Sequence, residues 1–303
     1  MSVAAGVVVI ILVGVLGAPQ APLNRGLAAV TGPLASACTN FLVGLALVLA
    51  VCTVAGKLGG VWDVWGVPPE QTLGGLLGAI YVLSALTGVG SIGASGVTAA
   101  TVAGQMTASL ALDATGALGL EQRSLTIVVV LGALAVFAGT YLVVAGRNQG
   151  FAKPAGGPHR LLAAALVVVG GLAIGVQHPL NGQLGSQIGD LPAAVVSFVL
   201  GSLALLAILT ARGEVGRLAG VVRVPWRYRL GGAIGAVIVT ASLALVDTIG
   251  AGALAAATVT GLAIASLALD RAGALGLQRR ALTPRRLAGA LLVVGGTALV
   301  ARS

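Results

Sequence analysis

The chain has 303 residues, 57% of them hydrophobic and only 8% charged, with a mean hydropathy of +1.06. A soluble domain carries about 25% charged residues, so the composition excludes a water-solvated globule and puts the chain in lipid. The formal charge of +9 does not point to nucleic acid, because the cations sit in loops between apolar spans and no basic face with interleaved aromatics accompanies them.

Residues 3–18 are apolar and uncharged and predict a first transmembrane helix; no Lys or Arg precedes them, as one would in a signal peptide. Gln20-Ala21-Pro22-Leu23-Asn24 follows, and Pro22 is expected to kink or end the helix. A second span covers about 34–55 with Asn40 and Phe41. Cys38 and Cys52 share that span, where a helix would hold them about 21 Å apart, beyond disulfide reach. Trp62 and Trp65 in the next loop suit the headgroup layer. The third span, about 72–89, carries Gly74 and Gly78 in small-xxx-small spacing; a break at Gly88-Val-Gly90 precedes a fourth span, about 94–112, ending near Asp113. The fifth, about 125–146, starts behind Ser124 or Thr126 as a helix cap.

After a short linker at 147–157, with His159 read as its continuation, the pattern restarts. Gln177-His178-Pro179-Leu180-Asn181 repeats the first motif at an offset of 157, and 13 of the 18 residues from 109 to 126 match their partners at 266 to 283. The chain is thus one unit written twice, 1–146 and 158–303. The second copy predicts spans near 160–179, 192–211, 229–246, 250–269 and 285–301, the last opened by Thr283-Pro284. The expected fold is an all-α polytopic membrane protein of ten helices. Five spans per unit is odd, so consecutive units lie upside down to one another. Loops after spans 1, 3, 5, 7 and 9 hold fourteen of the seventeen Lys and Arg residues, which places both termini outside by the positive-inside rule.

Gln-x-Pro-x-Asn-x-x-Leu, Phe-x-x-Gly in the second span, Gly104-Gln105 and Leu112-Asp113-x-x-Gly116 resemble the YdcZ-type inner-membrane protein family of the drug/metabolite transporter superfamily. The resemblance covers both halves and implies an inverted-repeat, EamA-like exporter in the cell (inner) membrane. Leu262 stands where Gln105 predicts a second Gln. Many members of that superfamily are thought to keep both termini in the cytoplasm, opposite to the charge count.

The polar residues near the spans are the candidates for a substrate path. Gln20 and Asn24 share a helix face around Pro22, and Gln177 and Asn181 do so around Pro179. A helix broken there would expose backbone groups to a solute, as in many transporters; the alternative is a pair of amides capping a helix end. Inversion would put one trio at each membrane face, together with the Asp of the other unit, as matched gates. Asp113 and Asp270 are read either as coupling carboxylates or as structural ones paired with Arg123 and Arg280. His178 is the one titratable group within the motif, with an ordinary pKa near 6.5, and Asp247 reads as a loop residue. Asn40, Ser197, Gln105, Thr101 and Thr258 line the path or bond between helices. No catalytic motif, nucleotide loop, cofactor signature or metal-ligand spacing is present. The expected function is a secondary-active exporter of small metabolites or drug-like solutes working by alternating access. A passive channel and a non-transporting scaffold remain as alternatives, and an intramembrane enzyme stands last. The partners expected are a small solute and the lipid bilayer, with a homodimer left open.

Overall fold

The computed structural model describes residues 2–144, 158–276 and 279–302; the linker at 147–157 lies outside them. Among the described residues nine α-helices run in order: α1 (Val3–Thr31), α2 (Pro33–Val54), α3 (Gly74–Thr115), α4 (Ile127–Val144), α5 (Pro158–Ile188), α6 (Asp190–Ala211), α7 (Leu230–Ile249), α8 (Ala251–Ala272) and α9 (Pro284–Val300). Short 3-10 segments, Leu58–Gly66 and Pro69–Leu73 in the first half and Val215–Arg223 and Trp226–Arg229 in the second, join α2 to α3 and α6 to α7. Trp62, Trp65 and Trp226 stand exposed on these connections. Among the described residues there is no strand, and eight helices are long and apolar enough to cross a membrane. The chain is a multi-pass membrane protein.

The offset of 157 reappears as geometry. α2 and α6 begin and end at equivalent positions, as do the flanking 3-10 segments Leu58–Gly66 and Val215–Arg223. α3 is the apparent exception, since it covers what α7 and α8 cover together. Its backbone leaves helical geometry at Gly93 (φ 71, ψ 167), and the residue between α7 and α8 is Gly250 (φ 84, ψ 157), the repeat partner of Gly93. The break expected at Gly88-Val-Gly90 therefore lies three residues further on, where only glycine adopts this positive φ without strain.

α1 and α5 depart from expectation. α1 continues through Pro19 and Pro22 for 29 residues, and α5 through Pro179 for 31, about 43 and 46 Å at 1.5 Å per residue. A proline removes one N–H···O bond and leaves the carbonyl four residues back, Ala18 or Gly175, without its donor. Neighbouring helices tolerate that inside a bundle, so the motif decorates an unbroken helix. His159 lies in the first turn of α5, not in a linker, and Asp247 lies inside α7, not in a loop.

Leucine against lipid gives no driving force for association, so close backbone approach between small residues has to supply it. The helices meet at glycines. A Cβ on Gly14 of α1 would fall 2.4 Å from the carbonyl oxygen of Thr258 in α8, and one on its repeat partner Gly171 would fall 2.3 Å from that of Thr101 in α3. Gly261 and Gly104 complete the same two crossings from the other side. Equivalent helices pack on one another antiparallel. Phe41 of α2 lies on Gly201 of α6 while Phe198 lies on Gly44, with ring centroids 5.7 Å apart. In α4 and α9, Gly132 meets Gly296 and Gly139 meets Gly289. Reversed pairing of equivalent helices means that the two halves are related by inversion of direction.

We expect Gly261→Ala and Gly171→Ala each to lower stability by about 1–3 kcal/mol, because a buried crossing has no room for the added methyl. Gly59→Ala, which meets nothing within 4 Å, is the control. Thermal unfolding in detergent reads the difference.

Candidate functional site

The Gln-x-Pro-x-Asn motif of each half packs against the other half, and the sequence explains why. α3 opens with Gly74-Gly75-x-x-Gly78 and α7 carries the equivalent Gly231-Gly232-x-x-Gly235. A Cβ at Gly74 would sit 2.0 Å from Oδ1 of Asn181, and one at Gly231 would sit 2.1 Å from Oδ1 of Asn24. Gly78 and Gly235 face Gln177 and Gln20 in turn, with a Cβ 3.2 and 3.1 Å from the nearest amide atom. These glycines make two amide-lined seats, one against α7 and one against α3. Sequence reading had treated Gly74 and Gly78 only as helix-packing residues and had missed Gly231, Gly232 and Gly235. Their recurrence at the offset of 157 was the available signal.

The two seats share backbone design but not bonding. In the seat on α7, Gln20 Nε2 donates to the carbonyl of Gly231 at 3.0 Å, and Asn40 Nδ2 donates to Asn24 Oδ1 at 2.9 Å. Ser36 Oγ donates to the carbonyl of Asn24 at 3.2 Å, which ties α1 to α2. Gln20, Pro22, Asn24 and Asn40 are all half-buried. In the seat on α3, Gln177, His178, Pro179, Asn181 and Ser197 are all buried, Asn181 to 1% exposure. Yet Gln177 Oε1, His178 Nδ1 and both amide atoms of Asn181 have no hydrogen-bond partner in the chain. Burying such groups unpaired costs about 1–3 kcal/mol each. Ser197 replaces Asn40 at the equivalent position, so Asn181 lacks the donor that Asn24 has. Gln105 is buried in the second half of α3, where its backbone packs on Gly175 of α5.

Asp113 and Asp270 lie apart from these seats and from each other. Asp113 Oδ1 and Oδ2 accept from the backbone N–H groups of Ala251 and Gly252 at 2.8 and 2.7 Å, capping α8, where the helix dipole favours a negative charge. Arg123 lies over Gly250 and donates to the carbonyl of Thr248 at 3.5 Å. Asp113 thus belongs to the joint between the halves. Asp270 forms a buried ion pair with Arg286, whose Nε also donates to the carbonyl of Val143 at 3.2 Å. By spacing alone Arg286 reads as one more loop cation. The first turn of α9, capped by Thr283, instead turns Arg286 inward to join α4, α8 and α9. The first half has Val129 at that position. Among the described residues no group of three His, Cys, Asp or Glu side chains could hold a metal ion, and both cysteines are free and buried.

Removing one member of a buried ion pair strands the other charge, so Arg286→Ala should cost about 3–5 kcal/mol, read as a large fall in melting temperature. The opposite outcome is expected at Asn181, where no hydrogen bond within the chain is lost. Asn181→Ala should leave the melting temperature within a few degrees of the parent, whereas Asn24→Ala, which orphans Asn40, should lower it.

A profile of the family described as "Putative inner membrane exporter, YdcZ" matches the chain twice, over residues 5–142 and 162–299. The two matches differ by the same offset of 157. A crystal structure of another protein superposes over 99% of this chain and 98% of its own, with a TM-score of 0.72 at 19% sequence identity, which shows a shared fold. No curated protein sequence matches this chain. The chain therefore belongs to the YdcZ family of inner-membrane exporters within the drug/metabolite transporter superfamily.

Proposed function

We propose that the chain is a secondary-active exporter of small metabolites or drug-like solutes and works by alternating access between two inverted five-helix units. Repeat equivalence supports a reading of ten spans. The second half of α3, 94–115, is the partner of α8, and α9 is the partner of α4; α8 and α4 are each long and apolar enough to cross. In this reading the units are 1–146 and 158–303. The face carrying fourteen of the seventeen Lys and Arg residues lies in the cytoplasm, which leaves both termini outside.

One observation carries the proposal. The two amide seats are built from the same motif but stand in unequal states. The one toward the Arg-rich face is half-exposed and hydrogen-bonded through Gln20, Asn24 and Asn40 Nδ2, with Asn40 Oδ1 unpartnered. The other is buried, with Gln177 Oε1, His178 Nδ1 and both amide atoms of Asn181 unpartnered. Alternating access requires this of an inverted repeat, because only one end can be open at a time. Unpaired buried amides are donors and acceptors waiting for a solute, and their neutrality suits a polar or amphipathic substrate without a strong fixed charge. Gln20, Asn24 and Asn40 form the inner gate; Gln177, His178, Asn181 and Ser197 form the outer one. Gln105, Thr101 and Thr258 line the route or bond between helices. Asp113 holds the units together, which favours the structural reading of that carboxylate over a coupling one.

The test is uptake into proteoliposomes of a solute first selected by thermal-shift screening on the purified protein. Transport should require an imposed ion gradient, fall at least tenfold in Asn181→Ala, and stop at equilibrium concentrations when the gradient is collapsed. Flux that ignores the gradient would make the chain a channel. A cysteine at position 24 should react with an impermeant thiol reagent from the Arg-rich side only, and one at 181 should stay protected until solute is added.

A further inference from the structure

The connection from α3 to α4 and that from α8 to α9 fold alike. Each helix ends on a glycine with positive φ, Gly116 or Gly273, followed by a leucine in the left-handed region, Leu118 at φ 57 or Leu275 at φ 56. In each, an arginine N–H closes back onto an aspartate carbonyl, Arg123 onto Asp113 at 2.7 Å and Arg280 onto Asp270 at 2.8 Å. The side chains around this shared backbone differ. The first copy has Ala114 and Gln122 where the second has Arg271 and Arg279.

Those two exposed arginines, with Arg280, Ala272 and Ala281, line a cavity of about 460 Å³. Arg279 Nε donates to the carbonyl of Ala272 at 3.2 Å, which holds its guanidinium at the rim. The fold does not require the charges of Arg271 and Arg279, since the first copy builds the same turn with Ala114 and Gln122 and keeps only the counterpart of Arg280, Arg123. Like charges gathered around one cavity repel, and an anion in the cavity relieves the repulsion. The guanidinium fork matches phosphate oxygens in bidentate geometry. The cavity sits at the C-terminal end of α8, a helix long and apolar enough to cross a membrane. In the orientation proposed above that end faces the cytoplasm, where basic pockets at helix ends suit anionic lipid headgroups. We infer that Arg271, Arg279 and Arg280 form a binding site for the phosphate of an anionic phospholipid. The site is separate from both amide seats and independent of which solute is moved.

The experiment titrates the purified full-length protein in neutral detergent with phosphatidylglycerol, phosphatidylcholine or inorganic phosphate and follows the melting temperature. The discriminating variant, Arg271→Ala with Arg279→Gln, installs the residues that the first copy uses in the same turn, so it is compatible with folding. Phosphatidylglycerol should stabilise the parent protein and bind the double variant about thirtyfold more weakly. Arg271→Lys with Arg279→Lys should recover part of the loss, and Arg223→Ala with Arg227→Ala, elsewhere on the same face, should bind as the parent does. Competition by inorganic phosphate supports the phosphate chemistry. Stabilisation by phosphate with none by phosphatidylglycerol overturns the lipid as its source. Equal binding of phosphatidylglycerol to parent and double variant, or equal stabilisation by phosphatidylcholine, overturns the site.

Discussion

Close approach of backbone to backbone at glycine is the contact on which this protein rests. In lipid the side chains of Leu, Val and Ile are as well solvated outside the bundle as within it, so burial alone cannot hold helices together. The seams at Gly14 with Thr258 and at Gly171 with Thr101, and the glycine-lined pairing of α4 with α9, bring main chains near enough for dispersion to act over many atoms. Each of these seams joins one copy of the repeat to the other. Neither half can complete its packing alone, and the amide seats exist only because the halves are interlocked.

That interlocking separates structural from functional polarity. Asp113 is saturated by two backbone donors of the opposite half, and Asp270 by a guanidinium. Both carboxylates sit where a charge strengthens a joint. Gln177 Oε1 and both amide atoms of Asn181 sit on the same kind of glycine-lined surface but are left without partners. A group that stabilises a fold is satisfied within it; a group kept buried and unsatisfied is stabilised by something the fold does not supply.

The duplication and the apolar segments were legible in the sequence because each is periodic, and a period survives substitution. The position of the break in α3 was not. Gly88, Gly90, Gly93 and Gly96 are equivalent candidates in one dimension, and only matching to Gly250 separates them. Pro22 and Pro179 misled because a proline marks a missing hydrogen bond, while the helix continues wherever neighbouring helices hold it on both sides of the gap. Arg286 looked like one more cation in an arginine-rich loop; its burial depends on the capping turn at Thr283 and on the reach to Asp270, neither of which spacing encodes. The seats themselves were half visible. The amides stood out, but the glycines that receive them belong to the other copy, and contact between copies is a tertiary fact.

The two copies share a backbone plan but are not identical where their ends close. Two identical ends would be held with the same free energy, so each substitution between the copies sets one end apart from the other. Three such substitutions stand out. Ser197 stands for Asn40, which leaves the seat on α3 without the hydrogen bond that secures the seat on α7; His178 stands for Ala21 in the motif of that same α3 seat; Arg286 stands for Val129 and locks one end of α9 to α4 and α8. Each change leaves the shared backbone intact and alters only how firmly one end is held. Under the alternating access proposed above, divergence at these groups is what would let two halves of one fold take opposite parts in a cycle.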